Sequence, residues 1–406
     1  MRITALLSLA VLLAGCGSSE PAANSEPDTA SDITATTEDT GAPDTPDIAE
    51  EDTTEPLPSV TATGPHAVGI REAKLTYTPA TGDVERTLRL LIWYPAEASD
   101  AETWKYMGAV EGISVEDAAP VGEDLPILVY SHGSNGMAEA SPFIMERFAS
   151  HGWIAIAPDH TGNTIINFGA PSSMLLATQR PLDLTATLDW LESLPAEDPL
   201  AGRMGDGVAV TGHSFGGFTT LSVSGASNDV EAIQAQCEGE SPSGWCEELD
   251  ETLLGVLNAG MHDERVDALM PMAPGRSWQL VDGVADIDRP VLLMTSNGDT
   301  ACTDEGDGDP YWAALDGPDD LRVRLVTGGH HTYAITCELM GDLMQEDGCG
   351  PGDWIAPDDA HPVIASYLLA FARRHVLGDA SVDPILTGAE SLHPDITVET
   401  RIAPSL

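Results

Sequence analysis

Residues 208–217 read Val-Ala-Val-Thr-Gly-His-Ser-Phe-Gly-Gly, and the fold can be worked out from this stretch. Its apolar start predicts a buried strand, and the residues from Phe215 onward suit a helix. Gly212, Ser214 and Gly216 fit the pattern G-x-S-x-G, in which a serine stands on a tight strand-to-helix turn. Only small residues clear the neighbouring backbone beside that serine. The stretch therefore predicts a nucleophilic serine at the end of a strand.

Further strand-like apolar runs lie on both sides of this turn, and most are followed by a segment that suits a helix. Residues 126–133 and 153–160 precede the turn, and residues 266–274, 290–299 and 321–329 follow it. Unbroken apolar strands that alternate with helices indicate a mostly parallel, doubly wound sheet with helices on both faces. Ligands bind beyond the carboxyl ends of such strands, which is where the notable polar residues stand here.

Two of the later runs lead into residues that a nucleophilic serine needs. One run ends at Asp299, and another is followed by His330 and His331. An imidazole has to accept the serine proton, and a carboxylate has to orient the imidazole and stabilise its charged form. The chain order serine, aspartate, histidine is that of the α/β-hydrolase triad. We therefore predict Ser214, Asp299 and a histidine of this pair as the catalytic residues.

The serine mechanism also needs two backbone N–H groups that bind the carbonyl oxygen of the substrate. We predict one at Phe215, directly after the nucleophile, and the other at Ser134, where glycines let the backbone approach the substrate. This chemistry requires no organic cofactor and no metal. The acidic loop with Asp304, Asp307 and Asp309 has oxygen ligands that suit calcium, but we expect it to be a solvated loop.

The first sixteen residues predict export and lipid attachment. Arg2 precedes an apolar run of roughly a dozen residues, shorter than the ~20 that a membrane-spanning helix needs. Residues 13–16, Leu-Ala-Gly-Cys, resemble a bacterial lipobox, which implies removal of residues 1–15 and a lipid on Cys16. Gly17 then favours the outer membrane. The alternative is a plain signal peptide with an incidental cysteine.

Composition outlines the remaining organisation. Residues 16–63 have almost nothing apolar to bury, so we expect a disordered acidic tether, followed by a folded domain at 64–380 and a tail at 381–406. The chain has 17 Lys and Arg against 66 Asp and Glu, a formal net charge of −49. This charge argues against nucleic acid or anionic lipid as a partner, because both would be repelled. The insert at 224–265 suits a lid or wall of the cleft, or surface decoration.

Five cysteines follow Cys16, and in an exported protein they predict disulfides. Their short spacing in the sequence favours two local disulfides, Cys237 with Cys246 and Cys337 with Cys349. In this scheme Cys302 is the odd cysteine. The rival scheme joins Cys302 to Cys337, which would connect the loop after Asp299 to the segment after His330 and His331. An odd number means that one cysteine lies outside the intrachain bridges in either scheme.

The motifs of the chain resemble the dienelactone-hydrolase-like branch of the α/β-hydrolases. Within that branch the chain is similar to bacterial relatives of the secreted platelet-activating-factor acetylhydrolases and, more distantly, to cutinase-like polyester hydrolases. The resemblance covers about residues 64–379. It is carried by "GPHAVGIR", "LIWYPA", "VYSHGSNG", "GWIAIAPDHTGNT", "RPLDLTATLDWL", "GHSFGG", "PVLLMTSNGDT" and "GGHHTYA".

The resemblance implies roles for several residues. True dienelactone hydrolases use a cysteine nucleophile, so Ser214 implies ester chemistry. The animal acetylhydrolases have their acid after the sixth strand, where this chain has "PMAPG" without an aspartate, and Asp299 fits the position after the next strand. The base of the family stands in a pattern of small residue, histidine, aromatic, Ser or Thr, aromatic. That pattern selects His330 as the base and puts His331 in the aromatic position, whereas a shift by one residue would select His331.

These observations together predict a carboxylic ester hydrolase that works through an acyl-enzyme. The expected substrates are short-to-medium acyl esters or lipid-like esters, and the expected location is the bacterial cell envelope, where the lipid anchor attaches the protein to a membrane. Two alternatives stay open. The same triad could transfer acyl groups to an acceptor other than water, or the scaffold could belong to a non-catalytic surface lipoprotein.

Overall fold

The computed structural model describes residues 57–82, 84–168, 173–238 and 243–402. The predicted signal peptide, the lipidation site at Cys16 and almost all of the tether lie outside the described residues. Among the residues described, no helix is both long and apolar enough to cross a bilayer.

Strands and helices alternate through most of the chain. The strands are β1 (Ala67–Tyr77), β2 (Arg86–Ala96), β3 (Thr103–Tyr106), β4 (Val110–Glu116), β5 (Leu125–Ser131), β6 (Ile154–Pro158), β7 (Asn163–Thr164), β8 (Asn167–Phe168), β9 (Met204–His213), β10 (Val266–Met272), β11 (Leu292–Ser296), β12 (Leu321–Leu325) and β13 (Ile396–Thr400). The α-helices are α1 (Pro142–Ser150), α2 (Ser173–Glu192), α3 (Phe215–Val223), α4 (Val230–Ala235), α5 (Glu251–Ala259), α6 (Ser277–Leu280), α7 (Asp309–Ala314), α8 (Thr336–Met340), α9 (Pro357–Val376) and α10 (Asp383–Leu386).

Eleven of these strands form one sheet in the order β13-β12-β11-β10-β9-β5-β6-β2-β1-β4-β3. The six strands from β12 to β6 in that order run parallel. Strand β2 pairs antiparallel with β6, and β13 pairs antiparallel with β12. The predicted fold class, an α/β-hydrolase fold with a mostly parallel sheet, is confirmed.

Alternate residues of the central strands enter two different apolar cores. In β5, Leu128 and Tyr130 pack into the core that contains residues of α1 and α9, while Ile127 and Val129 pack into the core that contains residues of α2. A strand buried on both faces has no polar alternation, and every residue of β5 is buried. The unbroken apolar pattern of the sequence is therefore the signature of a sheet covered on both sides.

The folded region extends beyond both predicted boundaries. At its start Val60 is buried and its carbonyl accepts a hydrogen bond from Arg147. At its end the segment predicted as a tail supplies α10 and the edge strand β13, whose Ile396 pairs with Leu325 of β12. The apolar alternation in β13 is limited to Ile396 and Val398, which is too short to distinguish a strand from a loop. The pairing of β13 with β12 therefore could not be predicted from the sequence.

Within the described residues there are two disulfides, Cys237–Cys246 and Cys337–Cys349. They are the two local pairs that the spacing predicts, and the rival bridge from Cys302 to Cys337 is wrong. Cys302 takes part in neither bridge and is buried.

Candidate active site

Ser214 stands between β9 and α3 in a backbone conformation that few non-glycine residues adopt. Its φ is 58° and its ψ is −119°. Its amide donates to the carbonyl of Met272 at the end of β10, at 2.9 Å. This conformation turns the chain from strand to helix within one residue and leaves the serine half-buried at the carboxyl edge of the sheet.

Neighbouring backbone explains the two glycines of the motif. A Cβ atom on Gly216 would lie 1.9 Å from the carbonyl oxygen of Ser131, and one on Gly212 would lie 2.4 Å from the carbonyl oxygen of Gly216. Both distances are far inside van der Waals contact. The first turn of α3 therefore packs directly on the end of β5, and this contact holds Ser214 in place.

The structure brings Ser214, His330 and Asp299 together. His330 Nε2 lies 2.9 Å from Ser214 Oγ, and His330 Nδ1 lies 2.8 Å from Asp299 Oδ2. A carboxylate only accepts hydrogen bonds, so Nδ1 carries the proton and Nε2 is the acceptor that faces the serine hydroxyl. The other carboxylate oxygen of Asp299 accepts the amides of Ala301 and Cys302, at 2.9 and 2.7 Å. These bonds fix the plane of the carboxylate toward the imidazole.

Neighbouring histidine rings pack against the imidazole of His330. The ring of His331 packs edge-on against it at 5.8 Å, and His213 approaches it at 4.7 Å between ring centres. Burial holds the pKa of His213 well below its usual value, and the neighbouring His330 and His331 add to that shift. His213 is thus a neutral packing partner. Tyr333 is buried, and its hydroxyl hydrogen-bonds Ser296 of β11. This bond attaches the turn His330–Tyr333, called the histidine turn below, to the sheet.

One predicted oxyanion donor directly follows Ser214, and the other lies in a loop that approaches it. Phe215 is the first residue of α3, so its amide has no partner within the helix and faces out of its N-terminal end. Ser134 lies in the loop after β5. In that loop, a Cβ on Gly133 would stand 3.5 Å from Ser214 Cβ, which shows how closely the loop approaches the nucleophile. The hydroxyl of Ser134 accepts a hydrogen bond from Asn163 at 3.3 Å.

Arg180 of α2 supports this loop from inside and was missed by sequence reasoning. It is fully buried and donates to the carbonyl of His132 and to Asn163 Oδ1, the latter at 2.6 Å. Its guanidinium also lies 4.6 Å from the ring centre of Phe215. Burial lowers the pKa of Arg180 to about 9. One buried cation therefore contacts both of the segments that hold the predicted oxyanion donors.

A second serine–histidine–aspartate series lies behind the loop and was also missed. Ser131 Oγ lies 2.9 Å from His160 Nε2, and His160 Nδ1 lies 2.8 Å from Asp183 Oδ2. All three residues are completely buried, and Asp183 is paired with Arg86 at 2.7 Å. Since no substrate reaches a serine sealed in this way, the series is a structural network. The signal in the sequence is weak, because each of the three is a polar residue at the end of an apolar strand or within a helix that carries other polar residues.

The acidic loop that could have suited calcium is neutralised by arginines. Asp304 forms ion pairs with Arg322 and Arg324, both at 2.9 Å, and Asp309 forms one with Arg322 at 2.7 Å. Asp307 instead accepts the amide of Ser277 at 2.9 Å. Within the described part of the chain, no group of three or more His, Cys, Asp or Glu side chains is placed to hold a metal ion.

Helices of the insert cover the start of α2. Ile233, Leu253 and Leu257 form an apolar cluster with Met174 of α2, and Trp278 packs against that cluster. Arg276 connects this cluster to the turn that carries Ser214, because its guanidinium lies 5.3 Å from Trp278 and 5.6 Å from Phe215, measured to ring centres. The described part of the insert is thus packed on the domain, on the side of Phe215.

The sequence profile of the X-Pro dipeptidyl-peptidase family, S15, matches residues 46–326. This range is more than half of the chain and includes both Ser214 and Asp299. The chain belongs to the S15 family. Membership in the S15 family and the observed fold together make the protein a serine hydrolase of the α/β-hydrolase type.

One solved structure with a similar fold is a ferulic acid esterase from Streptomyces cinnamoneus. The two share 20% sequence identity with a TM-score of 0.55, over 84% of this chain and 99% of the esterase. At this sequence identity, the similarity shows only that the two proteins share a fold. No curated protein matches the sequence significantly.

Proposed function

We propose that the protein hydrolyses carboxylic esters through an acyl-enzyme, with Ser214 as the nucleophile. The observation that carries the proposal is the continuous hydrogen-bond chain from Ser214 through His330 to Asp299, at 2.9 and 2.8 Å. Esters rather than peptides are favoured by the motifs that the chain shares with dienelactone-hydrolase-like and acetylhydrolase-like enzymes. Short-to-medium acyl esters or lipid-like esters are the proposed substrates.

Each residue has one task in the proposed reaction. Ser214 Oγ attacks the ester carbonyl while its proton moves to His330 Nε2, and Asp299 stabilises the imidazolium that forms. The amides of Phe215 and Ser134 bind the negative oxygen of the tetrahedral intermediate. His330 then gives the proton to the departing alcohol. Water, deprotonated by the same imidazole, attacks the acyl-enzyme, and His330 returns that proton to Ser214 Oγ as the acid leaves.

The test is turnover of p-nitrophenyl esters from acetate to palmitate, with methyl ferulate included because a ferulic acid esterase shares the fold. We expect wild-type protein to hydrolyse part of this panel and to react covalently with a fluorophosphonate. Ser214→Ala should lose both properties, whereas Ser391→Ala, at an exposed serine, should keep them. Undiminished labelling of Ser214→Ala would refute the assignment of the nucleophile.

Peptide hydrolysis is a second candidate, favoured by the S15 family match. An X-Pro dipeptidyl-peptidase releases a dipeptide that ends in proline, so Ala-Pro-p-nitroanilide belongs in the same panel. Turnover of this anilide with no turnover of any ester would replace esterase by peptidase, with the same three residues.

We further propose that the protein is exported and attached to the membrane by a lipid on Cys16. The proposal rests on the apolar leader and the Leu-Ala-Gly-Cys junction at 13–16. Expressed in a bacterial host with a lipoprotein pathway, wild-type protein should sediment with membranes, and Cys16→Ser should move to the soluble fraction. Equal sedimentation of both proteins would contradict the anchor.

A further inference from the structure

Asp347 joins the loop of the proposed acid to the loop of the proposed base. Its Oδ1 accepts the backbone amide of His330 at 2.7 Å and that of Thr300 at 3.1 Å. Its Oδ2 accepts the hydroxyl of Thr300 at 2.8 Å. Thr300 directly follows Asp299, so a single carboxylate holds the backbone at both members of the 2.8 Å pair between Asp299 and His330.

Backbone contacts press the segment around Asp347 onto the histidine turn. The carbonyl of Asp347 accepts the amide of His331 at 2.9 Å. A Cβ on Gly329 would lie 2.2 Å from the carbonyl carbon of Asp347, so only glycine permits this approach. Asp347 itself has a φ of 55°, a left-handed conformation in which aspartate and asparagine are enriched.

A disulfide holds this segment from its other side. Cys349 lies close after Asp347 and is bonded to Cys337 of α8, which follows the histidine turn. Asp347 and Cys349 are both buried, at 8% and 2% exposure. The carboxylate thus reaches the two loops from a short segment that is bonded covalently to the chain beyond His330.

We propose that Asp347 is a positioning residue that sets the distance between Asp299 and His330, and that the Cys337–Cys349 disulfide keeps it in place. The inference rests on the proposed function. Asp299 and His330 follow different strands, β11 and β12, whose pairing ends at Ser296 and Leu325. The amide of Gly298 donates to the carbonyl of Gly328 at 2.9 Å, which joins the two loops just before the catalytic residues. A displacement of about 1 Å in a catalytic group can cost about 10²-fold in rate. A carboxylate that bonds both loops limits such a displacement.

Two variants of Asp347 separate its hydrogen bonds from its charge. Asp347→Ala removes all three bonds, and we expect kcat to fall on the order of 10²-fold with little change in KM, because substrate contacts remain. Asp347→Asn keeps an oxygen acceptor for the two amides and tolerates the left-handed backbone. It should therefore recover most of kcat.

A matched control is Asp395, which directly precedes β13 and bonds the loop that leads to His330. Asp395 accepts the amide and the hydroxyl of Thr327, at 2.9 and 2.8 Å, shortly before His330. Asp395→Ala removes the same kinds of bond without touching either proposed catalytic loop residue, so it should lower thermal stability and leave kcat nearly unchanged. The inference is overturned if Asp347→Ala keeps a kcat within twofold of wild type, or if Asp395→Ala loses as much.

The disulfide provides a test that does not depend on the folding of Asp347→Ala. Replacing Cys337 and Cys349 together by serine should lower kcat by about tenfold, the effect of a displacement well below 1 Å. The same replacement of Cys237 and Cys246, in the insert, should not lower kcat. Equal kcat values for the two double variants would overturn the role of the Cys337–Cys349 bridge.

Wild-type behaviour separates this inference from the proposed function. If wild-type protein turns over esters and Ser214→Ala does not, the proposed function stands, and an unchanged kcat in Asp347→Ala refutes the positioning role alone. If wild-type protein neither turns over a substrate of the panel nor reacts with the fluorophosphonate, both the function and the positioning role are refuted.

Discussion

Several single residues around the candidate site have a strained backbone. Ser214 has a positive φ of 58°, and Ala273 and Arg276, in the loop after β10, have φ values of 43° and 63°. Such conformations in non-glycine residues cost about 1–3 kcal/mol each and persist only where the surroundings enforce them. At Ser214 the enforcing contacts are the bond to Met272 and the close approach of Gly216 to Ser131.

The two adjacent histidines offer a residue-scale prediction. His330 Nε2 faces Ser214 Oγ at 2.9 Å, whereas the ring of His331 packs against His330. Loss of a proton-transferring histidine should lower kcat on the order of 10⁴ to 10⁶-fold, because no other group accepts the serine proton. His331→Ala should cost far less. Ester turnover by His330→Ala and His331→Ala measures the difference, and an inactive His331 variant beside an active His330 variant would reverse the assignment.

At the scale of elements, the site depends on how closely α3 packs on the end of β5. Thr220 of α3 donates to the carbonyl of Gly216 at 2.9 Å, and the backbone of Gly216 lies directly on that of Ser131. The same β5 continues into the loop with Ser134. A change in the α3–β5 contact therefore moves the nucleophile and an oxyanion donor relative to each other.

Gly216→Ala tests this contact. Its Cβ would lie 1.9 Å from a backbone oxygen, which has no rotamer to give way, so we expect loss of fluorophosphonate labelling and a lower melting temperature. Gly255→Ala is the control, since Gly255 lies in the exposed middle of α5 with nothing within 4 Å of the added carbon. That substitution should stabilise the protein by about 0.5–1 kcal/mol through helix propensity. A fully labelled Gly216→Ala would contradict the packing argument.

At the scale of the whole molecule, buried histidines make stability depend on pH. Burial lowers the pKa of His160 to about 3, whereas an unfolded chain restores it to about 6.5. Between these values the unfolded state binds a proton that the folded state does not. The free energy of unfolding therefore falls as the pH falls from about 6.5 toward 3, by about 1.4 kcal/mol per pH unit for this one group.

His160→Gln removes the imidazole that binds this proton in the unfolded state. We expect the variant to show a shallower dependence of the unfolding free energy on pH between 6 and 4.5, by about 1.4 kcal/mol per unit, as measured by urea unfolding. Gly255→Ala changes stability without changing a titratable group, so it should shift the whole curve and keep its slope. An unaltered slope in His160→Gln would show that His160 titrates alike in both states.

Local patterns and chain order were enough to predict the sheet, the turn that carries Ser214, and the two strand ends that supply Asp299 and the histidine pair. Whether apolar residues alternate or run on along a strand depends on whether one or both of its faces are covered. A parallel α/β sheet then brings the carboxyl ends of successive strands to one edge. Asp299 and His330 follow such strands, so their meeting could be expected from their places in the sequence. The choice between His330 and His331 needed a family pattern, because adjacent residues share the same strand end.

The polar groups that support the carboxyl edge of the sheet follow from long-range packing. Asp347 lies in an irregular segment far from Asp299 in sequence, Arg180 lies in a helix that carries other polar residues, His160 follows an apolar strand, and β13 pairs with a strand about seventy residues before it. No spacing rule connects such residues, because their contacts follow from how distant segments fold back on the sheet. Local sequence patterns therefore predict the reactive edge and its order of residues, whereas the packing of distant segments holds those residues at hydrogen-bonding distance.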